Sequence, residues 1–146
     1  MLLIPTYVAR SSIHGFGVFS AVAVRRGSVL WRFDPGVDCI VPSSDVERLP
    51  PEFKARFLEY AYLRASGEYV LCGDNAMLMN HSPAPNLAEM GDHCVAASDI
   101  REGEELTSDY RLFDQISSQS AAPWLSSLLR ACQSPAARCA PPQRPR

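Results

Sequence analysis

The stretch from Asn80 to His93 constrains this chain more than any other. It lies between two apolar, β-prone runs at residues 69 to 72 and 94 to 98, and it carries Pro83, Pro85 and Gly91, so it must be mostly irregular. A loop of that length inside a small domain is usually functional. With 146 residues, the chain has the size of one ordinary domain plus a tail.

The segments around this loop read mainly as β structure. Tyr7-Val8-Ala9, Val18-Phe19 and Val29-Leu30-Trp31-Arg32-Phe33 are short apolar runs separated by a Gly15-Phe16-Gly17 turn and by Gly27. One helix is predicted within residues 45 to 66, where Pro50-Pro51 precede Phe53, Phe57, Leu58, Ala61 and Leu63 at largely helical spacing. An internal echo is also present. The pattern from Phe19 to Leu30 returns from Val95 to Leu106, with an apolar residue, arginine, glycine and leucine in register, and it predicts two similar strand-turn-strand units in a pseudo-symmetric arrangement.

Composition narrows the class of function. A hydrophobic share of 47% and a charged share of 21% are those of a soluble globular protein, and no apolar run approaches the roughly 18 residues of a membrane span. The opening Met1-Leu2-Leu3-Ile4 stops at Pro5 without the pattern of a secretory signal, so a cytoplasmic address is expected. Thirteen arginines against one lysine point to a bacterial source. All 16 acidic residues fall before residue 115, while the remaining 32 residues hold four arginines and no acid. An acidic body argues against nucleic acid as partner and suits a basic peptide. Five cysteines without a CxxC pair signal neither a disulfide framework nor a zinc knuckle. After Asp114 the composition turns to Ser, Ala, Pro, Gln and Arg. A short helix is predicted from Ala121 to Cys132 and disorder at the end.

Three segments carry candidate chemistry. Asn80-His81-Ser82-Pro83-Ala84-Pro85-Asn86 follows the apolar run Ala76-Met77-Leu78-Met79, and if that run is a buried strand, Asn80 and His81 need polar partners. Internal groups or a polar ligand would satisfy them, and a strand end with a turn is the plainer reading. Gly103-Glu104-Glu105-Leu106-Thr107-Ser108-Asp109-Tyr110 is a turn glycine, a strand and a tyrosine. A tyrosine hydroxyl can orient a nucleophile while an ordinary pKa near 10 keeps it neutral; a core or rim tyrosine is the plainer alternative. Gly15-Phe16-Gly17 is either a tight turn or a place where backbone lies against a ligand.

In this order and separation, the three segments resemble the SET-domain protein-lysine methyltransferases, whose pattern has a GxG turn, an NHSxxPN motif and a GEELTxDY strand. The resemblance covers about a hundred residues, from His14 to Asp114. It implies an α+β domain that is mainly β with one or two short helices, a β-clip-like SET fold over residues 1 to 114. In that fold, the asparagine-histidine segment and the last strand form a knot-like crossing, a pseudoknot. It also implies that His14, Gly15, Phe16, Gly17, Asn80, His81 and Tyr110 hold S-adenosylmethionine, that Tyr110 is catalytic, and that Tyr60, Tyr62, Tyr69, Ser108 and Phe113 line a channel for a substrate lysine. The implied reaction is an in-line displacement by a neutral amine, for which desolvation and alignment suffice; no dedicated general base is apparent in the sequence.

The chain departs from the family pattern in three places. Met77-Leu78 stand where many relatives have an arginine-phenylalanine pair, which implies a lost ion pair. Ser108 stands where Phe or Tyr is common, which implies a roomier pocket or one filled from elsewhere. Pro83 replaces a zinc-binding cysteine and Cys132 and Cys139 are far apart, so no metal and no zinc-binding module are expected in residues 115 to 146. The competing readings are a catalytically inactive SET-like module that binds a peptide or nucleotide, and a thiol hydrolase pairing His81 with Cys39, Cys72 or Cys94.

Overall fold

The computed structural model describes residues 1 to 118; the helix expected from Ala121 to Cys132, Cys132, Cys139 and the end of the tail lie outside the described residues. Ten short strands dominate: β1 Thr6–Arg10, β2 Phe16–Ser20, β3 Val29–Arg32, β4 Cys39–Pro42, β5 Ala61–Leu63, β6 Glu68–Leu71, β7 Asn80–His81, β8 Leu87–Glu89, β9 His93–Ala96 and β10 Glu105–Ser108. Helices α1 Ser43–Glu47, α2 Pro51–Tyr60 and α3 Gln115–Ser118 are short. The mainly β expectation holds.

The strands form three small sheets, ordered β1-β2-β10-β7, β3-β9-β8 and β4-β6-β5. All pairings are antiparallel except β7 with β10, where Asn80 faces Thr107 and His81 faces Ser108 in parallel register. A parallel pair cannot be closed by a tight turn, so the intervening chain must travel out and return. That connection includes β8, β9 and the second copy of the repeated sequence.

The repeat in the sequence is a repeat in hydrogen bonding. Equivalent positions Val24 and Ile100 pair with each other, each amide donating to the other's carbonyl at 2.8 Å. Ser20 N–H donates to Glu104 O at 3.0 Å, and the equivalent bond runs from Ala96 N–H to Ser28 O at 2.9 Å. Gly103 N–H to Ser20 O and Gly27 N–H to Ala96 O, both 2.8 Å, are a further matched pair. Phe19 opposite Glu105 is mirrored by Val29 opposite Val95. Two copies of one unit thus face each other across a pseudo-two-fold axis through the Val24–Ile100 bridge. Val18, Leu30, Leu87, Ile100 and Leu106, each at most 1% exposed, fill the space around it. Burying a side chain of this size contributes about 1.5–3 kcal/mol.

Two local expectations are corrected. The predicted helix stops at Tyr60, and Ala61, Tyr62 and Leu63 form β5, because their backbone groups pair with Leu71, Val70 and Tyr69 of β6; tertiary pairing overrides helical spacing. The run before Asn80 is not a strand. Asn75–Leu78 make a 3-10 turn capped by the Asp74 side chain, which accepts from Ala76 N–H at 3.0 Å, and Met77 and Leu78 pack against the core. The segment 80 to 93 is mostly irregular, as expected, although β7, β8 and the first residue of β9 fall within it.

Candidate functional site

Asn80 anchors the site from beneath. Its side-chain nitrogen, on a residue only 8% exposed, donates to His14 O (3.2 Å), Phe16 O (3.1 Å) and Glu105 Oε1 (2.8 Å). One amide therefore ties the glycine turn to β10. Gly15 makes the turn with φ +47°, in the left-handed region, whereas Gly17 is required for space: a Cβ there would lie 2.1 Å from Glu105 Oε1. The other Glu105 oxygen accepts from Ser11 Oγ at 2.9 Å. The carbonyl and carboxylate oxygens converge on the Asn80 amide, and Phe16 beside them in the chain is 57% exposed.

Asn86 does for β10 what a neighbouring strand would do. Its Nδ2 donates to Glu105 O at 2.8 Å and its Oδ1 accepts from Thr107 N–H at 2.9 Å. Ser82 N–H donates to Ser108 O at 3.0 Å, extending the parallel pairing. The proline-containing loop is thereby fastened to the last strand at both of its ends.

That pairing brings His81 against Tyr110. The Tyr110 backbone N–H donates to His81 Nδ1 at 3.2 Å, and the ring centroids are 5.4 Å apart. Burial lowers the His81 pKa from its ordinary value, with the Asp109 carboxylate, 3.7 Å away, opposing it. Asp109 is itself engaged by Arg111 through two bonds of 2.8 and 2.6 Å, which hold its carboxyl below the usual range. His81 is therefore neutral at physiological pH. The Tyr110 hydroxyl donates to the Met79 carbonyl, and burial raises its pKa, so it too stays protonated.

The sequence-predicted channel residues divide. Phe113 contacts Tyr110 edge-on at 5.8 Å and Tyr62 at 5.0 Å, and burial pushes the Tyr62 hydroxyl up to about 12. Ser108, 4% exposed, lies beside Met79, its Oγ 3.3 Å from Sδ. Tyr69 does not join this group. Successive residues of a strand face opposite ways, so Tyr62 opposite Val70 lies on one face of the sheet and Tyr69 opposite Leu63 on the other, where its ring meets Phe57 at 5.7 Å. Tyr60 is half-buried at the end of α2, and no aromatic contact links it to the Tyr62, Phe113 and Tyr110 rings among the described residues. His14 is exposed and contributes its carbonyl.

The sequence pattern assigns no role to Glu105, Met79 or Glu89. Glu105 stands inside the last motif, and the small Gly17 was the signal of its close approach. Met79 acts through its carbonyl, which no side-chain pattern can announce. Burial raises the pKa of Cys94 and pushes that of Cys72 up to about 12, which keeps these two thiols neutral. Among the described residues, no group of three or more His, Cys, Asp or Glu side chains is placed to hold a metal ion.

Comparison with known proteins points to one family. Residues 15 to 111 match the family model described as SET domain. The histone-lysine N-methyltransferase ATX2 of Arabidopsis thaliana is 30% identical over 124 residues, covering 71% of this chain and 11% of the plant protein, so the chain spans only about a tenth of that relative. The Neurospora SET domain protein DIM-5, a histone lysine methyltransferase, superposes with a TM-score of 0.51 at 25% identity, over 75% of this chain and 53% of that one. A humanized mutant of Chaetomium thermophilum Polycomb Repressive Complex 2, bound to the inhibitor GSK126, superposes with a TM-score of 0.60 at 17% identity, over 77% of this chain and 15% of that one. The last likeness speaks to fold alone.

Proposed function

Since the chain belongs to the SET-domain family, we propose that it is an S-adenosylmethionine-dependent methyltransferase acting on a lysine side chain of a protein. The observation that carries this reading is the parallel pairing of Asn80–His81 with Thr107–Ser108, which gathers the glycine turn, His81 and Tyr110 into one place.

The backbone of His14 to Gly17, with Asn80 and His81, is the proposed cradle for the cofactor, and the negative charge of the adjoining Glu105 carboxylate suits a cation. When bound, S-adenosylmethionine supplies an electrophilic methyl on a positive sulfonium. Asn80 fixes the cradle, and neutral His81 orients the Tyr110 backbone without adding a competing charge. The Tyr110 hydroxyl, fixed by Met79 O, aligns the incoming amine. Tyr62 and Phe113 give an apolar wall that strips water from that amine and so favours its neutral form. Alignment of this kind can supply on the order of 7 to 11 kcal/mol. The acidic body favours basic peptides over nucleic acid.

The test is calorimetric titration with S-adenosylmethionine, followed by transfer of a labelled methyl group to a panel of basic proteins and mass spectrometry of the product. Label on lysine is the expected outcome. Cofactor binding without transfer favours the inactive binding module, and the absence of both removes the assignment.

A further inference from the structure

Glu89 is a half-buried carboxyl with no ion-pair partner among the described residues. It closes β8 and stands opposite Cys94 of β9, which in turn stands opposite Trp31 of β3, so the three form one cross-strand row on one face of their sheet. Cys94 Sγ donates to Glu89 Oε2 at 3.0 Å, and the Ser108 hydroxyl of β10 also lies beside the carboxyl and favours its charged form. The charge of Glu89 also helps to raise the pKa of Cys72, beyond β6. Burial raises its pKa. In the same row, the Trp31 indole N–H is buried and has no acceptor among the described residues.

The position of this carboxyl ties it to Tyr110. Ser108 Oγ contacts Met79 Sδ, and the Met79 carbonyl accepts from the Tyr110 hydroxyl. β8 packs against β10, and Ser108, beside the carboxyl, is two residues from Tyr110 in the chain, so the carboxyl and the tyrosine share one region of the fold. A carboxylate taken out of water without a cationic partner costs stability, and neutral donors offset only part of that cost. An isolated group of this kind next to a reaction site is a functional candidate.

From this arrangement, we propose that Glu89 is the group that recognises the substrate as a cationic amine and then accepts its proton. The proposal rests on the methyl-transfer reading of the Tyr110 site. The lysine ammonium pairs with the Glu89 carboxylate. One N–H bond then breaks as an O–H bond forms, leaving a neutral amine and a neutral carboxylic acid, and the proton afterwards passes to solvent. No electron is gained or lost. The site would thus select primary and methylated ammonium groups, and Ser108 leaves the room that a larger side chain would take from Glu89.

The test follows the carboxyl directly. Protein labelled with carboxyl-13C glutamate is titrated with pH, with Glu89 assigned by the signal lost in Glu89→Gln, in the presence of n-butylamine or n-butanol. The expected result is that n-butylamine moves the Glu89 signal and lowers its titration midpoint by about one pH unit or more, as an adjacent opposite charge does, while n-butanol leaves it in place. A carboxyl indifferent to the amine, or equally sensitive to the alcohol, overturns the proposal. In Glu89→Gln, the acid limb of the methyl-transfer pH profile moves upward by about one unit and KM rises about tenfold, with partial return in Glu89→Asp; unchanged profiles in both variants overturn it as well. Should the wild-type protein bind n-butylamine at Glu89 yet transfer no methyl group, the transferase reading falls and the amine site stands. Should transfer occur with a carboxyl that ignores the amine, the reverse holds.

Discussion

The backbone N–H of Tyr110 donates to Nδ1 of His81 across 3.2 Å, linking residues 29 apart in sequence that the parallel pairing of β7 with β10 brings together. An acceptor at Nδ1 places the imidazole proton on Nε2. The ring is therefore a fixed neutral strut, and its protonation breaks this contact.

A pH dependence of stability follows. The folded pKa of His81 is lowered, chiefly by burial, so between that value and the unfolded value of about 6.5 the unfolded chain binds more protons. The stabilising contribution is present above about pH 6.5 and is lost as pH falls through the folded pKa. Thermal melts from pH 8 to 5 are expected to show this loss, and His81→Asn to flatten it. An identical slope in the variant would assign the effect to other groups.

Tyr110→Phe removes one hydroxyl bonded to Met79 O. A loss of about 0.5–1.5 kcal/mol in stability is expected, with a fall in methyl transfer of about 10²-fold from misalignment of the amine. Melting and transfer measured on the same preparation separate the two. Full activity in a well-folded variant would take Tyr110 out of the mechanism.

Gly17→Ala places a methyl where Glu105 Oε1 now sits, 2.1 Å from the added carbon. Glu105 must leave and the Asn80 clamp opens, at a cost of about 1–3 kcal/mol. Combining it with Glu105→Ala restores room, so the double variant is expected to lose less than the sum of the two single ones. Denaturant unfolding of the four proteins reads this, and additivity would show that no clash occurs. S-adenosylmethionine binding should weaken in Gly17→Ala alone more than in a variant of equal stability altered elsewhere.

Asp114, 4% exposed, accepts from the backbone N–H groups of Leu63, Ile116 and Ser117 at 3.0, 3.1 and 3.2 Å, and from the Ser117 hydroxyl. It caps α3 and holds β5 beside the site at once. Asp114→Ala is expected to cost about 2 kcal/mol, the upper end for a lost cap, because the Leu63 donor is orphaned too. A melting temperature within one degree of wild type would contradict this.

Much of the site was legible in the sequence because its parts are small, special residues: Gly17 reports a close approach, and Asn80 and His81 follow an apolar run that must end in something polar. The repeat was legible because two turns need the same glycine at Gly27 and Gly103. What stayed hidden depends on pairing between distant segments. Ala61–Leu63 carries apolar residues that fit a helix as well as a strand, and only β6 decides between them. Tyr69 was grouped with Tyr62 on residue type, whereas strand alternation puts their rings on opposite faces. Glu89 resembled any surface acid until Cys94 and Ser108 closed around it.

The matched hydrogen bonds of the two facing units have a consequence for how such a protein can change. Glu105 in one copy occupies the place held by Val29 in the other: a chemically demanding side chain and a purely structural one on the same backbone geometry. The framework is specified twice, but the chemistry is written in one copy only. Substitutions on the β10 side can therefore alter the site while β3 continues to hold the register.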